Sequence, residues 1–400
     1  MPDRRLLLGL AGVALLPVPA LGQRQARPAA PQRPATPQAS PAQTPIGPVD
    51  TLARNAILVD ADTGAVLLEK SPDDRMPPAS MSKLMTMYVV FERIREGTLR
   101  LDQEVTVSER ARAMPGSRMF LELGSRVSVD NLARGVIVQS GNDACVVLAE
   151  AIAGSEERFA ELMNQVARRI GLRDSTFRNA SGLPHPEHRM TARDLSVLAR
   201  RLMIDFPEFY RLYSERSFRW NGIDQPNRNP LLGRVAGADG LKTGSTEEAG
   251  YGLTGSALRD GRRLILVVTG LPSLRARAEE SERLIEWGFR EFDNVTLFRA
   301  ADTVDEVPVW LGARPRVPLV GGRDVVLTLP RTWRERLSVR VAYPSSVPAP
   351  VLRGQEIGEL LVGGEGVPPM RVPLFAGADV ERLGLVERIP TVLMHRLFGS

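Results

Sequence analysis

Lysine is rare in this chain, and two of its lysines stand in short motifs that could do chemistry. Of the 52 lysines and arginines, only Lys70, Lys83 and Lys242 are lysine, which leaves 49 arginines. A position that needs only a positive charge is therefore filled by arginine in this chain. Lysine differs because its amine can lose a proton when it is desolvated, whereas a guanidinium group stays charged. The lysines are therefore candidates for proton transfer.

The first motif, S-x-x-K, is formed by Ser80 and Lys83 in the stretch MPPASMSKLMT. Residues three apart lie on one face of a helix, so the hydroxyl and the amine can meet. A lysine with an unperturbed pKa of about 10.4 becomes a base only when burial or a second cation lowers that pKa. Taken alone the motif is weak, because Ser80 could simply be the N-cap of a helix.

Two further motifs follow along the chain. Ser140-Gly141-Asn142 could be an ordinary turn before a helix, and Lys242-Thr243-Gly244 could be the end of a strand. Each structural explanation is the more probable one when its motif is considered singly. In the order S-x-x-K, S-G-N, K-T-G, however, the three motifs together indicate a serine enzyme that works through an acyl-enzyme.

From about residue 50 to the C-terminus, the chain resembles the low-molecular-mass penicillin-binding proteins that act as serine-type D-alanyl-D-alanine carboxypeptidases. The stretches that carry the resemblance are ASMSKLMT, QSGNDACV, NRNPLL and GLKTGSTEEAGYGL. The resemblance implies an α/β fold: a penicillin-binding-protein/β-lactamase-like domain, in which helices flank an antiparallel sheet. A small all-β domain and a C-terminal amphipathic helix are expected to follow it.

The same resemblance implies three catalytic residues. Ser80 is similar to the family's nucleophile, which attacks the penultimate D-alanine carbonyl, and Lys83 to its general base. Ser140 is similar to the family's second serine, which relays a proton to the leaving amine. The family needs no metal ion and no cofactor, and none is expected here.

Five residues are implied in substrate binding. Asn142 would hold the substrate and the catalytic lysine in place. Lys242 and Arg228 would face the terminal carboxylate of the substrate, and Thr243 would donate its hydroxyl. Ser245 stands where some members have histidine, and its backbone N–H would complete an oxyanion hole.

Composition and pattern divide the chain into five segments. Residues 1–22 are predicted to be a signal peptide, 23–49 a Pro/Ala-rich linker, 50–294 the serine D,D-peptidase domain, 295–376 the small all-β domain and 377–400 an amphipathic membrane-anchor helix. Arginines before a short apolar run indicate export, and the linker has too few large apolar residues to fold. In the last segment Val380, Leu383, Val386 and Ile389 recur at helical spacing.

Within the D,D-peptidase domain, the local pattern predicts several elements. A hairpin turns at 62–64, and an apolar helix runs from Met81 to Arg95. Antiparallel strands begin near Gly237, with a hairpin at Asp260-Gly261, and an amphipathic helix covers 273–292. Because strands stand at both ends with helices between them, we expect the terminal strands to share one sheet.

Charge and cysteine content limit the setting. The net charge of +5 and the pI near 9.8 suit work beside an anionic wall or membrane, and no basic patch with interleaved aromatics indicates nucleic acid. Cys145 is the only cysteine, so the chain has no internal disulfide. We expect a periplasmic protein attached to the outer face of the inner membrane, with peptidoglycan pentapeptide stems as substrate and β-lactams as inhibitors.

Four other functions remain open at this point. A β-lactamase would need a carboxylate to activate water, and Glu157 or Glu161 could supply it, although the surrounding pattern does not match. A metal-dependent peptidase would use His185 and His188, but Pro186 between them favours an exposed loop instead. The last two are a D,D-endopeptidase of the same fold and a wall-binding scaffold with little activity.

Overall fold

The computed structural model describes residues 38–300, 302–364 and 367–389. An α/β domain occupies the described chain up to the end of a long helix at Glu291, and a β domain follows from Phe292. The predicted signal peptide and residues 23–37 of the predicted linker lie outside the described residues.

The α/β domain contains eleven strands and eight α-helices among the residues described. The strands are β1 (Ser40–Ala42), β2 (Val49–Thr51), β3 (Asn55–Asp60), β4 (Val66–Lys70), β5 (Glu104–Thr106), β6 (Arg126–Ser128), β7 (Ser217–Trp220), β8 (Ile223–Pro226), β9 (Ala238–Thr246), β10 (Gly250–Arg259) and β11 (Arg262–Leu271). The helices are α1 (Lys83–Arg95), α2 (Glu109–Arg112), α3 (Val129–Arg134), α4 (Asn142–Ala153), α5 (Glu156–Arg169), α6 (Ala192–Asp205), α7 (Pro207–Tyr210) and α8 (Leu274–Glu291). Two 3₁₀ turns cover Ala79–Ser82 and Arg211–Ser214, and a π-helical turn covers Gly135–Gln139.

A five-stranded antiparallel sheet organises this domain, in the order β4-β3-β11-β10-β9. The prediction that strands from both ends of the domain share one sheet is confirmed, because β3 and β4 lie in it with β9, β10 and β11. The hairpins at 62–64 and at Asp260-Gly261 are also confirmed. Both faces of the sheet are buried. Ile57 and Ile265 face the core around α1, whereas Leu58 and Leu266 face α8. Burial on both faces explains why these strands are continuous apolar runs.

Helix α1 lies in the middle of the larger core. Its residues from Lys83 to Glu92 are all buried and mostly apolar, with Lys83, Thr86 and Glu92 as the polar or charged exceptions. The prediction of a helix ending at Arg95 is confirmed. Its start differs, because a 3₁₀ turn with Ala79 in the left-handed region, at a φ of 48°, precedes the α-helix and carries Ser80.

The predicted linker is ordered in its last part. Strand β1 pairs with β2, and the amine of Lys70 donates to the carbonyl oxygen of Thr51 at 2.9 Å and to that of Ser40 at 3.3 Å. Ala42 is buried in the core beside α8. The composition of this segment does not predict the pairing, because each strand is only three residues long. Lys70, the lysine outside the three motifs, thus connects these strands to β4.

The β domain is built of eight strands among its described residues. They are β12 (Phe292–Phe298), β13 (Thr303–Trp310), β14 (Arg316–Gly321), β15 (Val325–Pro330), β16 (Leu337–Ala342), β17 (Val347–Pro348), β18 (Glu356–Gly364) and β19 (Val367–Ala376), with a 3₁₀ turn at Arg331–Arg336. Six form one sheet in the order β16-β18-β19-β14-β13-β17, and β12 pairs with β15. Val307, Leu319, Leu360 and Leu374 are fully buried between them. The predicted all-β domain is therefore confirmed.

The C-terminal helix begins later than the predicted residue 377. Val380 is only 2% exposed, packs in the core of the β domain and forms a bridge with Val351. Leu383 donates its N–H to the carbonyl oxygen of Leu311. Residues 385–389 are helical, and Leu385, Val386 and Ile389 are exposed. Residues 390–400 of the predicted anchor lie outside the described residues. Within the described part of the chain, no helix has the length and apolarity needed to span a bilayer.

Candidate active site

Ser80 and Lys83 meet at the start of α1. The 3₁₀ turn places the Ser80 hydroxyl at the surface of a cleft and the Lys83 side chain beneath it, fully buried. Lys83 Nζ donates to Ser80 Oγ at 2.9 Å. The prediction that the two groups share one face is thus met by the geometry.

Two other acceptors complete the surroundings of the Lys83 amine. Its Nζ donates to Asn142 Oδ1 at 2.8 Å and to the carbonyl oxygen of Ser181 at 2.5 Å. An ammonium group has three donors, and all three are used here. When the amine is neutral, two of these bonds can remain while its lone pair turns to the Ser80 hydroxyl. The arrangement therefore suits both protonation states of a base.

Burial makes Lys83 a usable base. Desolvation of the ammonium, with the positive charge of Arg228 adding to it, lowers the pKa of Lys83 from 10.5 to about 8, although Cys145 and Asp143 oppose the shift. Near neutral pH, a useful fraction of the amine is therefore unprotonated. General bases work best when their pKa lies close to the working pH.

Ser140 and Asn142 reach the cleft from the turn before α4. The π-helical turn ends at Ser140, whose φ of 62° and ψ of 33° lie in the left-handed region, and Asn142 opens the next helix. Ser140 Oγ is buried and has no hydrogen-bond partner among the described residues. Its donor and lone pairs are therefore free for a substrate. Asn142 is fixed by a bond from its Nδ2 to the carbonyl oxygen of Pro115 at 2.7 Å.

The K-T-G motif lies on the edge strand β9, directly against the 3₁₀ turn that carries Ser80. A Cβ on Gly244 would stand 2.9 Å from the carbonyl oxygen of Pro78 and 3.0 Å from the backbone nitrogen of Ser80, so only glycine allows this approach. Lys242 is buried, and desolvation together with the charge of Lys83 holds its pKa well below 10.5.

A cleft of about 420 Å³ joins these groups. Its lining residues are Ser80, Ser117, Ser140, Arg228, Thr243, Gly244, Ser245, Leu274 and Arg277. Five of the eight predicted site residues line it, and Lys83, Asn142 and Lys242 lie directly behind. A larger cavity of about 570 Å³ lies between the β3–β4 turn and β15, but no such set of reactive groups surrounds it.

Sequence reasoning missed Arg277 and Ser117. Arg228 Nη1 donates to Ser117 Oγ at 2.5 Å, and Arg277 is 6% exposed beside them. A signal for Arg277 was available, because it falls on the buried stripe of α8 with Ser281, Leu284 and Ile285. A charged residue on an apolar stripe is unusual and often functional.

Comparison with known proteins agrees with this geometry. The family model for D-alanyl-D-alanine carboxypeptidase matches residues 39–273, and that for the C-terminal domain of penicillin-binding protein 5 matches residues 292–382. The D-alanyl-D-alanine carboxypeptidase DacC of Escherichia coli strain K12 is 40% identical over 361 residues, which cover 87% of this chain and 90% of that protein. The chain belongs to the D-alanyl-D-alanine carboxypeptidase family.

Solved structures of penicillin-binding proteins are also similar to this carboxypeptidase. Penicillin-binding protein 5 from Haemophilus influenzae has a TM-score of 0.78 and 37% identity, over 84% of this chain and 99% of that one. Penicillin-binding protein D2 from Listeria monocytogenes, solved with bound ampicillin, has a TM-score of 0.55 and 32% identity, over 59% of this chain and 97% of that one. The predicted fold and activity are confirmed: this is a serine-type D-alanyl-D-alanine carboxypeptidase of the penicillin-binding fold.

The residues considered for other activities lie elsewhere in this carboxypeptidase. Glu157 forms an ion pair with Arg110, and Glu161 is exposed on α5; neither lines the cleft. His188 is buried rather than exposed as expected, because its ring packs against Ser82. Among the residues described, no group of three or more histidines, cysteines and acids could hold a metal ion.

Proposed function

We propose that this carboxypeptidase trims the terminal D-alanine from peptidoglycan pentapeptide stems with Ser80 as nucleophile and Lys83 as general base. The observation that carries the assignment is the 2.9 Å contact between Ser80 Oγ and the Nζ of a fully buried lysine. Serine needs such a base, because its hydroxyl is a weak nucleophile on its own.

The reaction then follows in two halves. Lys83 takes the Ser80 proton as Oγ attacks the penultimate D-alanine carbonyl carbon, and the carbonyl oxygen becomes an oxyanion held by the N–H groups of Ser80 and Ser245. The tetrahedral intermediate collapses, the C–N bond breaks, and Lys83 passes the proton it took from Ser80 through Ser140 to the leaving D-alanine nitrogen. Water next attacks the ester carbonyl carbon while Lys83 accepts its proton; the ester C–O bond then breaks, and Lys83 returns the proton to Ser80 Oγ. The products are D-alanine and the shortened stem.

We assign recognition of the terminal carboxylate to the part of the cleft that Arg228 and Thr243 line. The buried Lys242 directly precedes Thr243, and Ser140 lines the same cleft. The positive charge of these groups favours a substrate with a free C-terminal carboxylate. Penicillin also has a carboxylate beside a reactive amide, so the same site should accept it.

Benzylpenicillin should form one covalent adduct per chain, on Ser80. Only this serine pairs its hydroxyl with the buried amine of Lys83 in the described part of the site. Peptide mapping by mass spectrometry identifies the modified residue, and the Ser80→Ala variant serves as the unlabelled control. An adduct on Ser140 or Ser245, or none in folded protein, would contradict the assignment.

The proposed location is the periplasm, at the outer face of the inner membrane. The apolar and basic run predicted at the N-terminus supports export. The exposed Leu385, Val386 and Ile389 continue into the sequence PTVLMHRLFGS, which is apolar with one arginine. An amphipathic helix of this kind binds in the plane of the interface, with an affinity set by its buried apolar area and by anionic lipid.

Truncation after Gly384 should release the protein from anionic lipid vesicles. This end point keeps Val380 and Leu383, which belong to the β domain, and removes only the proposed anchor. Co-sedimentation with vesicles measures the bound fraction, and benzylpenicillin labelling verifies that the truncated protein is folded. Equal sedimentation of truncated and full-length protein would show that the anchor lies elsewhere.

A further inference from the structure

One loop of the α/β domain packs directly on the first turn of α1. We call residues 176–190 the 176–190 segment. Its ends are joined by backbone bonds between Thr176 and Arg189. Two of its carbonyl oxygens accept bonds from α1: that of Ser181 from Lys83 Nζ at 2.5 Å, and that of Ala180 from Thr86 Oγ1 at 2.6 Å. One of the three acceptors around the catalytic lysine therefore belongs to this loop.

His188 connects the same loop to the motif S-x-x-K. Its Nε2 lies 2.7 Å from Ser82 Oγ, the residue directly before Lys83, and its Nδ1 accepts a bond from the backbone N–H of Arg178 at 3.3 Å. Because Nδ1 is an acceptor, the ring proton is on Nε2, which donates to Ser82. The ring is 2% exposed and meets Phe177 edge-on, with the ring centroids 5.6 Å apart.

The packing leaves no space between the segment and the nucleophile's turn. Gly182 has a φ of 79°, and a Cβ there would stand 2.0 Å from the carbonyl oxygen of Ala79 and 3.1 Å from Ser82 Cβ. The loop therefore touches the backbone that carries Ser80. It excludes water from this side of the lysine.

We propose that His188 is a positioning residue for the general base: it fastens the 176–190 segment to Ser82 and so holds the Ser181 carbonyl against a dry Lys83 amine. The inference rests on the proposed role of Lys83. His188 touches neither the substrate nor the reacting atoms, so it acts only through the loop.

Protonation of His188 is not part of the mechanism. Burial, with the positive charges of its neighbours adding to it, lowers the pKa of His188 to about 3, so the ring is neutral at working pH. The charged or titratable groups that face it are His185, Lys83, Arg189 and Arg178. Those that face Lys83 are Cys145, Arg228, Asp143, Lys242 and His188 itself. Of these groups, His185, Arg189 and Arg178 belong to the 176–190 segment. None of the three has a carboxylate that could replace the Ser181 carbonyl oxygen as an acceptor for Lys83.

Loosening the loop should raise the pKa of Lys83. Desolvation is the main cause of its lowered pKa, and water entering from the loop side would relieve it. Loss of the Ser181 acceptor acts in the opposite direction, but the entering water replaces that acceptor. The net shift is upward. Since the amine must be neutral to act, the acid limb of the acylation rate should move to higher pH.

The test is the second-order rate of benzylpenicillin acylation between pH 6 and 10. His188→Leu should lower the rate at pH 7 on the order of ten- to a hundredfold, as small misplacements near a reacting group do, and should shift the acid limb to higher pH. His188→Gln, whose amide N–H₂ can donate to Ser82, should recover most of the rate. His185→Gln is the matched control, because that ring is exposed three residues away.

Ser82→Ala removes the other partner of the hydrogen bond between His188 and Ser82. This variant tests the role of His188 if His188→Leu does not fold. A uniform fall at every pH, or an acid limb that stays in place in both variants, would overturn the inference. A wild-type profile with no limb near pH 8 would instead contradict the role of Lys83 itself. The two failures are therefore distinguishable.

Discussion

Replacing Lys83 with arginine should nearly abolish acylation by benzylpenicillin and release of D-alanine together. The guanidinium group keeps the charge and the approximate length, but it cannot accept the Ser80 proton. Loss of general-base assistance costs about 10²–10⁴-fold, and we expect the upper part of this range because Lys83 also activates the nucleophile. The second-order acylation rate measures the effect. In wild type this rate should rise with pH through about 8, the pKa of Lys83.

The other two lysines are the matched controls for this substitution. Lys70 only donates hydrogen bonds to the carbonyl oxygens of Thr51 and Ser40, and arginine can donate them as well, so Lys70→Arg should stay active. Lys242→Arg should retain part of the acylation rate, because the assigned role of Lys242 is electrostatic. An active Lys83→Arg enzyme would mean that another group is the base.

Much of the fold was predictable because its elements are long and strongly patterned. Strands β3 and β11 contain continuous apolar runs, and the turn at Asp260-Gly261 has two residues with positive φ, of 49° and 78°, which this dipeptide favours. The C-terminal helix was predicted to start at residue 377 but is helical only at 385–389 of its described part, and the difference has a physical reason. Val380 and Leu383 have helical spacing, but Val380 gains more from burial beside Val351 in the β domain than from a solvated helix.

The active site was predictable to the extent that its groups are side chains in short motifs. The three motifs named every residue that reaches Lys83 through a side chain. The Ser181 carbonyl has no such signature, because it is backbone and lies 98 residues away along the chain. The sequence predicts an exposed loop at His188 because Pro186 stands between it and His185; only the tertiary packing of that loop on α1 buries the ring.

Arg277 lines the cleft with a guanidinium group that has few hydrogen-bond partners. It is nearly buried, its Nε has no hydrogen-bond partner among the described residues, and its Nη2 reaches the carbonyl oxygen of Arg228 only at 3.5 Å. Burial lowers the pKa of Arg277 to about 10, and the charge of Arg228 adds to this effect. A buried cation without an anion destabilises the free protein. In the proposed function the substrate's terminal carboxylate is the anion that this cleft receives, so we expect Arg277 to bind it beside Arg228.

Arg277→Met should therefore weaken substrate binding while it stabilises the fold. A hydrogen bond to a charged group contributes about 1.5–3 kcal/mol, so kcat/KM for a peptide ending in D-Ala-D-Ala should fall about ten- to a hundredfold, mainly through KM. The same peptide with a C-terminal amide should be hydrolysed equally by both enzymes. Removal of the unpaired cation should raise the Tm. Arg275→Met is the control, because Arg275 lies on the same helix, exposed and paired with Glu279. A lower Tm with an unchanged KM would show instead that Arg277 serves the packing of α8, and the carboxylate would then be held by Arg228, Thr243 and Lys242 alone.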